Sequence, residues 1–92
     1  MAAMEQSEIL TAVKNGLGIT TDAQDATLNV YIDEVQQFMI AAGVSENVAY
    51  DSCAIGCILR GVTDLWDYGS GSAGLSDYFK MRVTQLAMIK ID

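Results

Sequence analysis

Apolar residues recur every three or four positions along most of this chain, which is the spacing that places side chains on one face of an α-helix. The clearest stripe contains Leu28, Tyr31, Ile32, Val35, Phe38, Met39 and Ala42. The polar residues between them are expected to face water, and they are Asp33, Glu34, Gln36 and Gln37. The pattern predicts a long amphipathic helix that is capped by Thr21 or Asp22 and ends at Gly43.

The next predicted helix, over about residues 46–68, is apolar around most of its circumference. Its large apolar side chains are Ile55, Ile58, Leu59, Val62, Leu65 and Trp66. A second strip carries small residues that let another backbone come close, namely Ala49, Cys53, Gly56 and Cys57. A helix that is apolar on most sides is buried on most sides. We therefore expect this third helix to lie at the centre of the fold or to meet another subunit as well.

Two shorter helices complete the pattern. The first covers about residues 4–15 and ends at Gly16 and Gly18, with Leu17 and Ile19 tucked under the domain. The last covers about residues 77–88 and follows a cap at Ser76. Its inward-facing residues are predicted to be Phe79, Val83 and Leu86.

These elements predict one all-α domain over residues 1–92, a compact bundle of about four helices. Segment 69–74 contains only Gly, Ser and Ala and predicts a flexible loop. Residues 77–92 form the predicted C-terminal helix and tail. The most apolar stretch, residues 53–66, contains two charged residues and is shorter than the ~20 residues that a membrane span needs. We therefore expect no membrane association.

Charge narrows the possible functions. The chain has 12 acidic and 5 basic residues, a net charge of −7 and no histidine. Nucleic-acid binding normally relies on Lys and Arg, and histidine is the usual general base and metal ligand. Residues 1–77 carry eleven acids and two bases (−9), whereas residues 78–92 carry three bases and one acid (+2). An acidic body with a basic end favours head-to-tail association.

The remaining candidate chemistry is weak. Cys53 and Cys57 lie four residues apart, and without further ligands they are interpreted as core residues and not as a zinc or redox site. Ser52 follows Asp51 as in acyl-carrier proteins, but Cys53 stands where their Leu would be, and Ser52 falls inside the predicted third helix, whereas their serine starts a helix. The acidic pairs do not have the spacing of a calcium loop. We expect no enzyme activity, no metal and no cofactor.

The C-terminal segment carries more apolar side chains than one short helix can bury against one core, and some of them are expected to contact a partner or another subunit. They are Tyr78, Phe79, Met81, Met88, Ile89 and Ile91. Basic residues are interleaved with them, and three charges spread over the segment are weak evidence for phosphate binding. The candidate contact residues for a partner or another subunit are Tyr78, Phe79, Lys80, Arg82, Met88, Ile89 and Lys90.

The order of these features resembles the small head–tail connector (adaptor) proteins of long-tailed bacteriophages. The resemblance rests on the layout and on short strings: Gly-Leu-Gly-Ile-Thr at 16–20, Ala-Ala-Gly at 41–43, Leu-Trp-Asp-Tyr-Gly at 65–69 and Leu-Ser-Asp-Tyr-Phe-Lys at 75–80. It covers nearly the whole chain and includes no catalytic signature.

This resemblance implies a structural virion protein. Such proteins form a closed ring of about a dozen copies with heterologous interfaces. The ring sits beneath the portal, extends the DNA channel without sequence-specific binding and carries the neck or tail-completion protein. The C-terminal part, residues 78–92 here, would dock to the portal. The implied location is the neck of the virion, after assembly in the host cytoplasm.

Two other functions are compatible with the residues. One is a small acidic acyl-carrier-like protein that uses Ser52. The other is a regulatory protein that binds one helix of a partner in an exposed groove. A carrier would carry a covalent adduct on Ser52, and a regulatory protein would be a monomer or dimer.

Overall fold

The computed structural model describes residues 4–68 and 75–89, with the side chain of residue 68 excepted. The helices within these ranges are α1 (Gln6–Leu17), α2 (Asp25–Ala41), α3 (Glu46–Ala49), a 3₁₀ helix (Ser52–Ala54), α4 (Ile55–Tyr68) and α5 (Asp77–Leu86). The described ranges contain no strand. The predicted all-α bundle of about four main helices is therefore confirmed. The loop predicted over 69–74 and the tail over 90–92 lie outside the described residues.

The predicted third helix is not continuous. The chain leaves the helical conformation at Asp51, where φ is −90° and ψ is 157°. The Asp51 side chain turns back, and its Oδ2 accepts a hydrogen bond of 2.8 Å from the backbone N–H of Cys53. This is the geometry of an N-cap. Residues 46–68 therefore form a short α3, a 3₁₀ turn and α4, and only α4 is the central helix.

The start of α2 also differs from the prediction. The N-cap residue is Gln24, and neither Thr21 nor Asp22 caps the helix. Lys14 of α1 lies 2.9 Å from an Asp22 carboxylate oxygen and 2.8 Å from one of Asp25. The hydrogen bonds to Asp25 and Asp22 raise the pKa of Lys14. The acids at this turn therefore join α1 to the start of α2.

The core lies around α4, which contacts α1, α2 and α5. The core side chains from the four long helices are Ile9, Val13, Leu28, Ile32, Val35, Met39, Cys57, Ile58, Val62, Leu65, Phe79, Val83 and Leu86. The inward-facing residues predicted for the last helix are thus all buried. One polar residue of α2, Gln36, is also buried, contrary to the expectation that it faces water.

Two glycines allow the outer helices to approach the centre. A Cβ on Gly16 of α1 would lie 2.5 Å from Leu59 of α4. A Cβ on Gly61 of α4 would lie 2.6 Å from the Phe79 ring of α5. Positions 59 and 61 are separated by roughly 200° around a helix. Helices α1 and α5 therefore lie on opposite sides of α4.

Candidate interaction surface on the C-terminal helix

Helix α5 has apolar residues on both its inner and its outer side. On the inner side, Phe79, Val83 and Leu86 are at most 3% exposed. On the outer side, Tyr78 is 57% and Met81 is 51% exposed. The helix therefore contributes to the core and presents apolar surface to solvent at the same time.

Three of the exposed residues of α5 lie on one line. Tyr78, Met81 and Gln85 follow at steps of three and four, so they form one face of the helix. We call these three residues the outer stripe. Beyond the last residue of α5, Met88 is 78% and Ile89 is 39% exposed. We call these two residues the C-terminal apolar pair.

A buried carboxylate of α4 fixes the start of α5. Asp64, which is fully buried, accepts a hydrogen bond of 2.8 Å from Arg60 Nη2 through Oδ1. Its Oδ2 accepts a hydrogen bond of 3.0 Å from the backbone N–H of Ser76. The Ser76 hydroxyl in turn accepts one of 3.1 Å from the backbone N–H of Phe79 and caps the helix. Since each polar group is satisfied, the first turn of α5 is held firmly on α4.

Phe79 locks the same turn from the inner side. Its ring centroid lies 5.6 Å from that of Phe38 in α2. The absence of a side chain on Gly61 provides the space for this ring. The outer stripe therefore stands on a helix that is packed against both α2 and α4.

The two described basic residues of the segment flank the outer stripe. Lys80 is exposed, and Arg82 is half-buried. The Arg82 Nη1 donates a hydrogen bond of 2.6 Å to Gln85 Oε1, a neutral partner. Asp77 is the one acid of residues 77–89, so this segment carries a net charge of +1 (Lys80 and Arg82 against Asp77) on an otherwise acidic protein.

The predicted contact residues fall into three groups. Tyr78, Lys80, Met88 and Ile89 are exposed, and Arg82 is half-buried. Phe79 is a core residue, because its ring fills the space beside Gly61, so it presents no surface to a partner. Lys90 lies outside the described residues. Met81 was not among the predicted contact residues, although its helical spacing from Tyr78 places it on the same face.

The two cysteines differ in their surroundings. Cys57 is buried as predicted, and burial raises its pKa to about 11. Cys53 is exposed, so its interpretation as a core residue is wrong. It lies in the 3₁₀ turn, where the helix is interrupted. The pKa of Cys53 is raised by desolvation and by the hydrogen bond and charge of Asp51.

Ser52 is the first residue of the 3₁₀ helix and is exposed. Ser52 therefore does not lie inside a long helix, contrary to the prediction, because the Asp51 cap starts a new helical segment there. The backbone N–H of Cys53 holds the pKa of Asp51 below its usual range. Position alone does not set Ser52 apart from the serine of a carrier protein.

Two further exposed apolar residues lie on other helices. Val30 on α2 is 61% exposed. Trp66 on α4 is 38% exposed and meets Tyr31 edge-on, with ring centroids 6.3 Å apart. Within residues 4–68 and 75–89, no three Cys, Asp or Glu side chains are grouped so that they could hold a metal ion. None of the helices in the described part of the chain has the length and apolar character to cross a membrane.

Exposed apolar side chains on a firmly anchored helix are typical of proteins that act through contacts with other chains. Residues 7–90 match the family described as phage gp6-like head-tail connector protein, and the chain therefore belongs to this family of structural virion proteins. Comparison with curated proteins and with solved structures finds no match in either.

Proposed function

We propose that this connector assembles as a homo-oligomeric ring beneath the phage portal and docks to the portal through its C-terminal end. The ring extends the channel through which DNA leaves the head, and it carries the neck or tail-completion protein. The observation that carries the proposal is the C-terminal apolar pair, since Met88 and Ile89 remain exposed after the core is complete. Exposed apolar residues grouped at one end of a small domain favour a contact with another protein.

The charge distribution supports a role as a channel through which DNA passes. The net charge of −7 disfavours tight binding to DNA, because like charges repel and no basic cluster neutralises the phosphates. DNA would therefore pass through the ring without sequence-specific contacts. The role requires neither catalysis nor a cofactor. The expected location is the neck of the virion, preceded by the host cytoplasm during assembly.

Native mass spectrometry of the purified chain, alone and with the portal of the same phage, tests this function. We expect a closed oligomer of about a dozen copies, either alone or on the portal. Met88→Glu should weaken portal binding, because it introduces a carboxylate into an apolar contact. The matched control is Val30→Glu, which makes the same kind of change at an exposed position on α2.

A monomer or dimer under every condition, with no binding to the portal, would overturn the proposal. Equal portal binding by the Met88→Glu variant and the wild type would overturn the assignment of the C-terminal apolar pair. The intact mass from the same spectra also tests the carrier function, since a prosthetic group on Ser52 would appear as an added mass and would contradict the connector role.

A further inference from the structure

The outward face of α1 forms a shallow groove on the side of the molecule away from the core. The groove has a volume of about 440 Å³, and it is lined by Met4, Ser7, Glu8, Thr11, Ala12 and Asn15. Ile9 and Val13, which belong to the core, project from the other side of the same helix. Ser7, Glu8, Thr11 and Asn15 are exposed, whereas Met4 is half-buried and also packs against the core.

The groove and the outer stripe of α5 lie on opposite flanks of the molecule. Helix α1 packs against the side of α4 that carries Leu59, and α5 packs against the side that carries Gly61. The groove points outward from α1, and the stripe points outward from α5. Two different surfaces on opposite flanks are what a head-to-tail contact between identical copies requires.

The two surfaces are also complementary in chemistry. Residues 4–15, which contain the groove, carry Glu5, Glu8 and one base, Lys14, whereas residues 77–89 carry Lys80, Arg82 and one acid, Asp77. Lys14 is already paired with Asp22 and Asp25. The groove offers Met4 and Ala12 as apolar contacts, and the stripe offers flexible Met81, a side chain that adapts to irregular surfaces.

We infer that the outer stripe of α5 in one copy packs into the α1 groove of the next copy, with Met81 in the groove and Lys80 and Arg82 towards Glu5 and Glu8. This inference rests on the proposed ring and names the surfaces that build it. It also separates two roles within the C-terminal segment. The outer stripe serves the neighbouring copy, and the C-terminal apolar pair serves the portal.

Two variants that each disable one surface test the pairing. Thr11→Arg fills the groove with a bulky cation that repels Lys80 and Arg82, and Met81→Glu places a carboxylate in the stripe opposite Glu8. Both positions are exposed on helices, and both new residues are good helix formers. We expect each variant alone to self-associate more than about tenfold more weakly than the wild type, because like charges across an interface cost several kcal/mol.

Mixing the two variants gives a sharper result. The intact stripe of the Thr11→Arg chain still fits the intact groove of the Met81→Glu chain. The mixture should therefore recover assembly with the two chains in alternation, since the two altered surfaces also meet and place the new arginine of one chain opposite the new carboxylate of the other. Native mass spectrometry shows by mass whether the recovered oligomers contain both chains in equal number. Circular dichroism of each variant checks that the helices are retained.

Disulfide cross-linking tests the same pairing without depending on how tightly the copies associate. Thr11→Cys and Met81→Cys are combined in one chain that also carries Cys53→Ser, which leaves only buried Cys57 of the native thiols. A disulfide requires Cα atoms within roughly 7 Å of each other, so oxidation should give a ladder of linked oligomers. The control pair is Thr11→Cys with Val30→Cys, which should give no ladder.

The outcomes separate this inference from the proposed function. If the wild type forms rings, but both surface variants still assemble and the cysteine pair gives no ladder, the α1–α5 pairing is wrong while the connector ring stands. If the wild type forms no ring with or without the portal, the ring and the pairing both fail. If the wild type forms rings and the two variants assemble only when they are mixed, the pairing is supported.

Discussion

Helices α4 and α5 are both rich in apolar residues, but they use them differently. In α4, Ile58, Val62 and Leu65 are fully buried, so contacts within one copy account for their apolar character. In α5, Phe79 is fully buried while its neighbour Tyr78 is 57% exposed. Apolar content alone therefore does not locate an interface. The informative residues are those that stay exposed on a helix whose other side is already fixed.

The strongest test of this comparison is the pair Phe79→Ala and Tyr78→Ala. Phe79→Ala should lower the free energy of unfolding by about 3–5 kcal/mol, because it opens a cavity between α2, α4 and α5. Tyr78→Ala should change it by less than about 0.5 kcal/mol, because the ring is largely in water. Urea unfolding followed by circular dichroism measures both. Similar losses for the two variants would mean that α5 is not divided into an inner and an outer side.

The second test concerns the close approach at Gly61. Gly61→Ala should destabilise the fold by a net amount of about 1–2 kcal/mol, because overpacking against Phe79 and Val35 costs about 3 kcal/mol and outweighs the gain in helix propensity. Gly56→Ala is the matched control, because a Cβ there meets nothing within 4 Å. It should stabilise the fold by up to about 1 kcal/mol. Thermal unfolding of both variants gives the sign of each change, and a stable Gly61→Ala variant would contradict the tight α4–α5 contact.

The smallest expected effect lies at the start of α4. The pKa of Asp51 is held below its usual range by the Cys53 N–H, so its ionised form is favoured in the folded state. The resulting stabilisation is present above the pKa of the unfolded chain, about 4, and is lost as the pH falls through the folded pKa. Asp51→Asn keeps a cap but does not titrate, so its stability should fall less steeply in acid.

Unfolding experiments at a series of pH values below about 5 measure this slope. Asp33→Asn is the control, since Asp33 is an exposed carboxylate on α2. It should leave the acid dependence close to that of the wild type. An Asp51→Asn variant with the same slope as the wild type would show that the cap does not contribute to acid sensitivity.

Most of the fold was predictable because the helical period is strong in this chain. The core faces of α2 and α5 follow the apolar spacing directly. The break at Asp51 was missed because apolar residues continue the same period on both sides of it. The signal was present in the pair Asp51–Ser52, since both residue types favour N-caps. Gln36 was predicted to face water because it is polar, although its position in α2 is buried.

The candidate surface was predictable only in part. The excess of apolar residues after position 77 indicated that some of them would remain exposed, and the helical period assigned Phe79 to the core. Met81 belonged to this apolar excess but was left out of the candidate contact residues, and its exposure depends on how α5 is rotated on α4. The hydrogen bond between Asp64 and the N–H of Ser76 sets that rotation. Such a contact joins residues twelve positions apart, and no local pattern reveals it.

The angular separation of Leu59 and Gly61 around α4 affects the curvature of the proposed ring. If copies join through α1 and α5, the angle between those two helices across α4 decides how far each copy turns relative to the last. A ring of about twelve copies needs a turn of roughly 30° per copy, and one more copy changes this angle by only about 2°. A small change in side-chain volume at the α1–α4 or α4–α5 contact would therefore be enough to alter the diameter of the channel.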